Sequence, residues 1–311
     1  MICLGIDTSN YTTSVAFYDG ATNACFHRRR LLDVKDGETG LRQSDAVFKH
    51  IVRLPELTAQ LCDEAGLVPD VIAVSVTPRD VKGSYMPCFN VGKSVAESMG
   101  AVFGVPVFPF SHQAGHIAAA LFSAGRLDLL NEEFLAFHVS GGTTEAVTVT
   151  PDPVRIMKIT PVASSLDLHA GQAIDRVGNM LGLSFPAGRE LDEMSRKCDK
   201  TFKIHPFLKD NSCSLSGVEN KCRDMINAGA SPEETAKYCI SYIEAALEKM
   251  ADGLSEKYPD KPLVFSGGVM SNSMIREHFT KKYGAVFAEN GLSSDNAVGT
   301  AVLGVVCGEK T

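Results

Sequence analysis

The chain has 311 residues, 44% hydrophobic and 22% charged, with a formal net charge of −7; that length predicts two units of roughly 150 residues each. The acidic balance excludes a surface that grips nucleic acid everywhere, and no apolar run reaches the ~18 residues of a membrane span. Nine scattered cysteines, never spaced C-x-x-C, suit free thiols in a reducing cytoplasm, where the protein is expected.

Residues 2–6 open the chain as an apolar strand without the basic flank of a signal peptide. The polar turn Thr8-Ser9-Asn10-Tyr11 leads into β-formers at 12–18, and after the turn at Asp19-Gly20 a third strand at 24–32 completes a meander. Residues 45–66 have helical pattern, with Pro55 expected to kink or break them. A strand at 71–76, a helix at 90–100, a strand at 105–110 and a helix at 112–122 follow. Then the order restarts: strands at 134–139, 144–149 and 154–160, and helices at 170–181, 188–197, 217–228 and 232–257. A buried strand at 263–265, a helix at 272–281, a strand at 285–288 and a helix at 294–306 close the chain.

The segments from Gly5 to Ala16 and from Val139 to Val147 share one plan, strand, polar turn, strand. Such a duplication predicts an α/β fold of two similar lobes across a nucleotide cleft. The lobes are expected at 1–125, with helix 294–308 packing on the first, and at 126–293, with a helical insertion in the second.

Four constellations carry chemistry. The hairpin turn offers Thr8, Ser9, Thr12 and Thr13, and its counterpart offers Ser140, Gly141 and Gly142; either can aim backbone N–H groups at a phosphate. Ser266-Gly267-Gly268 leads from an apolar strand to a helix that Asn272 opens, a second place for a nucleotide. His112 and His116, four apart on a helix, project on one face and can share a metal, with Asp295 or His138 as candidate further ligands. Asp175 and Asp192 lie on two helices around a turn containing Pro186 and Gly188, placed to hold ribose hydroxyls or a nucleophile. Each motif alone has a plainer reading: a hairpin, a helix cap, an incidental His pair, solvated charge. Basic residues cluster at 27–30 and between Arg196 and Arg223, the two local patches that could meet nucleic acid.

Taken together these segments resemble the universal tRNA threonylcarbamoyladenosine transferase family, of the actin-like ATPase class. The family's G-I-E-T-S opening matches Gly5 to Ser9, its H-x-x-x-H matches His112 and His116, and its V-S-G-G-x-T matches Val139 to Thr144. Its G-E-A-F-D-K run matches Gly171 to Arg176, G-G-V-x-x-N matches Gly267 to Asn272, and T-D-N-A matches Ser294 to Ala297. The resemblance implies ribonuclease H-like lobes of the actin-like fold, with catalytic candidates in the turn at Thr8, Ser9 and Thr12. It also implies His112, His116 and Asp295 as metal ligands, and Gly142, Asp175, Gly188, Asp192 and Asn272 as nucleotide contacts. Archaeal and eukaryotic relatives have a metal-binding Tyr before V-S-G-G, where this chain has His138.

The implied activity is transfer of threonylcarbamoyl from threonylcarbamoyl-AMP to adenosine in tRNA. It brings a divalent metal (iron or zinc, with magnesium as a nucleotide companion), ATP or the adenylate as cofactor, tRNA as acceptor and helper protein subunits as partners. The family's acidic stretch after T-S reads Asn10-Tyr11-Thr12-Thr13 here. Two other readings follow: a paralogous carbamoyl-type transferase with a different acceptor, and a non-catalytic nucleotide-binding regulatory subunit.

Overall fold

The computed structural model describes residues 1–9, 11–33, 41–289 and 296–310. In chain order they form β1 (Ile2–Ser9), β2 (Thr12–Asp19), β3 (Ala24–Leu31), α1 (Gln43–Ala65), β4 (Val71–Thr77), α2 (Phe89–Phe103), β5 (Val107–Ser111) and α3 (His112–Ser123). A short 3-10 turn at Leu127–Asn131 precedes β6 (Phe134–Val139), β7 (Thr144–Asp152), β8 (Ile156–Ser164), α4 (Ala170–Met180) and α5 (Gly188–Ser195). A small hairpin, β9 (Leu208–Lys209) and β10 (Ser212–Cys213), comes before α6 (Ser216–Asn227) and α7 (Pro232–Lys257). The chain ends on β11 (Leu263–Ser266), a 3-10 turn at Gly268–Ser271, α8 (Ser273–Tyr283), β12 (Val286–Phe287) and α9 (Asn296–Gly308).

The two five-stranded sheets have one plan. The first runs β3-β2-β1-β4-β5 and the second β8-β7-β6-β11-β12. In each, the first strand pairs antiparallel with the second and parallel with a strand reached through helices. The chain divides into two compact units. Unit 1 is Met1–Glu132, Thr150–Ile159 and Gly291–Thr311; unit 2 is Glu133–Val149 and Thr160–Asn290.

In unit 1, Leu4, Ile6, Val15, Phe17, Ile72 and Val74 of the sheet pack on Leu54, Leu57 and Leu61 of α1 and on Ala96 of α2. Helix α1 runs unbroken through Pro55, so the break that the sequence allowed is not made. The proline and Ile51, whose carbonyl loses its intrahelical donor, are both on the exposed side, so water can take the freed acceptor. Helix α9 is buried nearly throughout and lies against β1 and α3. Glycines set that approach: a Cβ on Gly5 would run into the Ala297 backbone, and one on Gly299 into the Gly115 carbonyl.

In unit 2, α7 begins with Ser231 accepting from Glu234 N and Pro232 at its first turn, a strong start signal. Its buried stripe of Ile240, Ile243, Leu247, Met250 and Leu254 has the spacing of one helix face. The stripe joins Phe137, Phe265, Phe279 and Phe287 in one core. Phe265 stacks on Phe137 and Phe287 with centroids 4.6 and 5.3 Å apart. Among the described residues no helix is long and apolar enough to cross a membrane.

Candidate functional site

Each unit carries part of the predicted chemistry. In unit 1, β1 and β2 pair from Ile2 opposite Asp19 to Ser9 opposite Thr12, so the polar turn forms at the tip of a full hairpin. Thr8 is fully buried, and its hydroxyl donates to Cys88 O (2.9 Å) while accepting from Gly92 N (3.1 Å). That hydroxyl is committed to tying the start of α2 to β1. Ser9 and Thr12 flank the turn, and Tyr11 is exposed. Thr13 Oγ1 meets His50 Nδ1 of α1 at 2.8 Å. Burial pushes the His50 imidazole down to about 4, against the attraction of the Asp7 charge.

Asp7 sits two residues before Ser9 with its carboxylate buried. Its Oδ1 accepts from Ser9 N (2.9 Å) and its Oδ2 from His112 Nδ1 (2.8 Å). Burial alone would raise this carboxyl; the His112 charge and hydrogen bonds from His112, Ser75 and Ser9 outweigh it and hold the group well below the usual carboxylate range. Because the carboxylate can only accept, His112 carries a proton on Nδ1, and in its neutral form keeps its lone pair on Nε2. His112 starts α3, which Ser111 caps by accepting from Ala114 N at 3.1 Å. The His116 ring stands edge-on to it with centroids 4.6 Å apart, the one-face placement the spacing predicts.

Asn296, at the start of α9, brings Nδ2 to 2.9 Å from His112 Nδ1 and 3.2 Å from Nε2; with Nδ1 donating to Asp7, only Nε2 can accept from it. Its Oδ1 is buried and has no hydrogen bond among the described residues. An imidazole nitrogen met only by an amide, beside an orphaned carbonyl oxygen, is donor chemistry that fits a cation. Asp295, the predicted carboxylate ligand, lies outside the described residues. His138, on β6 of unit 2, bonds Ser266 Oγ at 3.0 Å. Among the described residues no group of three or more His, Cys, Asp or Glu is arranged to hold a metal.

Unit 2 contains a pocket of about 490 Å³ that gathers Gly141, Asp175, Gly188, Asp192, Gly268 and Asn272 from four separate segments. The remaining nucleotide candidates, Ser140, Gly142 and Gly267, are not on its wall. Ser140 builds the turn instead: its N donates to Thr143 O (2.7 Å) and its carbonyl accepts from Gly171 N (3.1 Å). Gly267 takes φ +98°, where a side chain is strained, and a Cβ there would strike the Val139 backbone. Gly142 is exposed.

The polar groups of the pocket are fixed from behind. Asp175 Oδ1 accepts from Ala187 N (2.9 Å), and Asp192 accepts from Ser273 N (3.3 Å) and Ser273 Oγ (3.2 Å). Asn272 Oδ1 caps α8 by accepting from Met274 N and Ile275 N, while its buried Nδ2 has no acceptor among the described residues. Gly141 and Gly268 line the pocket, and a Cβ on either would meet no protein atom within 4 Å. Bare backbone at both can approach a ligand closely, and Asn272 offers it a donor.

The family model described as TsaD: tRNA N6-adenosine threonylcarbamoyltransferase matches residues 36–302. The chain belongs to this family. A member from Aromatoleum aromaticum with that name is 31% identical over 98% of this chain and 91% of its own length. Another from Streptococcus thermophilus is 33% identical over 70% of this chain and 65% of its own length. Full-length HypF in its phosphate- and nucleotide-bound form has the same fold at 13% identity, with TM-score 0.63 over 97% of this chain and 55% of that one. ROK hexokinase from Thermus thermophilus matches at 14% identity and TM-score 0.56 over the whole of both chains. The fold is thus that of the actin-like ATPases and sugar kinases, and the family is one of transferases that modify tRNA.

Three residues of these sites escaped the sequence reading: Asp7, His50 and Asn296. Asp7 left one faint signal, a carboxylate at the end of a strand just before a polar turn. His50 and Asn296 left none, because their partners lie 37 and 184 residues away.

Proposed function

We propose that this chain transfers the threonylcarbamoyl group of threonylcarbamoyl-AMP to the exocyclic amine of an adenosine in tRNA. The observation that carries this reading is the convergence of six motif residues on the unit 2 pocket, in a chain of this family. There the adenylate's nucleotide would lie, with ribose hydroxyls on Asp192, a donor from Asn272 Nδ2, and its phosphate against the glycine turns. The amine attacks the carbamoyl carbon, the bond from that carbon to the phosphate oxygen breaks, AMP leaves, and the amine loses a proton.

A divalent metal, iron or zinc, belongs to the same reading, held by His112 and His116 with Asp295 as a further ligand. When bound, it supplies Lewis-acid polarisation of a carbonyl or phosphate oxygen. Asp7 fixes the His112 tautomer that such a ligand needs. Ser9 and Thr12 keep the catalytic assignment within the hairpin, since the Thr8 hydroxyl is already used on both sides. ATP in place of the adenylate, and helper subunits that present the tRNA to an acidic chain, complete the proposal.

The test supplies threonylcarbamoyl-AMP, tRNA and candidate helper subunits, and follows threonylcarbamoyladenosine. Turnover is expected. Adenylate binding without any transfer would sink the tRNA reading and favour a carbamoyl-type transferase with another acceptor, as a hairpin with Tyr11 and Thr12 in place of the family's carboxylates suits.

A further inference from the structure

We propose that a cavity in unit 1, beside edge strand β5, binds the phosphate backbone of the tRNA; the proposal rests on the tRNA reading above. The cavity is about 830 Å³ and is walled by the ends of β4 and β5, the loop after β4, the start of α3, the turn at 153–156 and the end of α9. Four exposed cations from three separate segments line it, Arg79, Lys82, Arg155 and Lys310, against one carboxylate, Asp80. Asp80 accepts a hydrogen bond from Ser111 Oγ at 3.0 Å.

Most of these cations are not spent in salt bridges, and they gather on one cavity wall. In the basic strand at 27–30, α1 pairs two of the arginines: Glu64 takes Arg28 and Glu56 takes Arg30. In the stretch between Arg196 and Arg223, Asp192 takes Arg196, Glu234 takes Lys200 and Glu219 takes Arg223. Lys82, Arg155 and Lys310 enter no salt bridge among the described residues, although the nearby Asp152 carboxylate attracts the Arg155 charge. The turn that carries Arg155 is held by its backbone, since Asp152 Oδ1 accepts from Val154 N (2.9 Å) and Arg155 N (2.8 Å). So the guanidinium is presented from a fixed support.

A chain of net charge −7 repels RNA over most of its surface and must meet it through a local concentration of unpaired cations. Cations brought to one cavity wall from three separate chain segments can meet more than one phosphate of a backbone. The Val154 side chain, 78% exposed, and Phe108 add apolar surface to the same wall, the mixture on which base faces rest while the backbone is neutralised.

The test is a salt titration of tRNA affinity for the full chain, between about 50 and 200 mM, where counterion release is read directly. Lys82→Gln/Arg155→Gln/Lys310→Gln should bind tRNA at least about tenfold more weakly at the low-salt end. Its slope of log affinity against log salt should be shallower by about 2–3, at roughly 0.7–0.9 per lost phosphate contact. ATP affinity and thermal midpoint should match the wild type. Lys82→Arg/Lys310→Arg keeps the charge and should keep the slope; a lower slope there overturns the proposal. So does a triple variant with wild-type tRNA affinity and slope, including one that has lost only an acidic protein partner. If that variant also modifies tRNA normally, the groove alone is wrong. A wild type that binds no tRNA at any salt removes both this proposal and the substrate reading.

Discussion

Replacing Gly171 by alanine tests whether the glycine turn of unit 2 is set by backbone contact. The new Cβ would lie 2.6 Å from Gly141 N, 2.7 Å from Gly141 Cα and 2.8 Å from Ser140 C. Each is about 1 Å inside the ~3.5–4.0 Å optimum for such atoms. None of the three can rotate away, because all are backbone. Helix α4 cannot easily retreat either: Gly171 N donates to Ser140 O at 3.1 Å and Ala170 N to Thr144 Oγ1 at 2.9 Å. The turn must therefore shift, and overpacking of this kind costs about 1–3 kcal/mol. Since Gly141 lines the pocket, the shift should also weaken nucleotide binding, by about tenfold for each ~1.4 kcal/mol not recovered. Thermal unfolding and ATP calorimetry on one preparation read both effects. A variant as stable as the wild type and equal to it in ATP affinity would refute the reasoning, because backbone contact would then not position the turn.

Three further outcomes are expected. His50, held neutral with its pKa down at about 4 against an ordinary 6.5, contributes stability that is fully present above 6.5 and lost as pH falls toward 4, at most about 3 kcal/mol in all. His50→Gln should flatten the pH dependence of the thermal midpoint across that window; identical slopes would count against it. Asp7→Asn should lower iron or zinc content at limiting metal by about 10–100-fold with the fold intact by circular dichroism, because the His112 tautomer loses its anchor; full occupancy would show that Asp7 does not orient His112. Asp167→Ala removes the acceptor of Leu168 N, Leu215 N and the Ser214 and Ser216 hydroxyls, and should cost about 1–3 kcal/mol in urea unfolding while leaving ATP affinity unchanged.

Periodicity located the strands and helices of both sheets to within a few residues, because each alternates or repeats on its own. Pro55 allowed a break that α1 does not make, since the sequence shows the missing N–H but not that Ile51 faces water. The pocket's glycines and acids were legible as motifs, because backbone approach and ribose contact each demand a residue type. Ser140 and Gly267 belong to the same motifs yet serve the turn itself, a difference that only the direction of a backbone N–H reveals. The basic stretches at 27–30 and 196–223 were visible as charge, but their partners on α1, α5, α6 and α7 were not. Charge that is read along a chain is gross charge; what a ligand meets is what remains after pairing.

Helix α9 covers the sheet that the first residues begin, through a contact tight enough to need Gly5, and packs on α3 closely enough to need Gly299. During synthesis, therefore, β1 to β5 emerge with one face bare until the residues up to Gly308 have been made. Roughly 200 residues separate the end of β5 at Ser111 from Gly308, a wait of roughly 10–40 s at about 5–20 residues per second. Everything that unit 2 needs has been made by residue 290. The unit begun second can finish first, and the unit begun first keeps an apolar face open to chaperones until the last helix arrives.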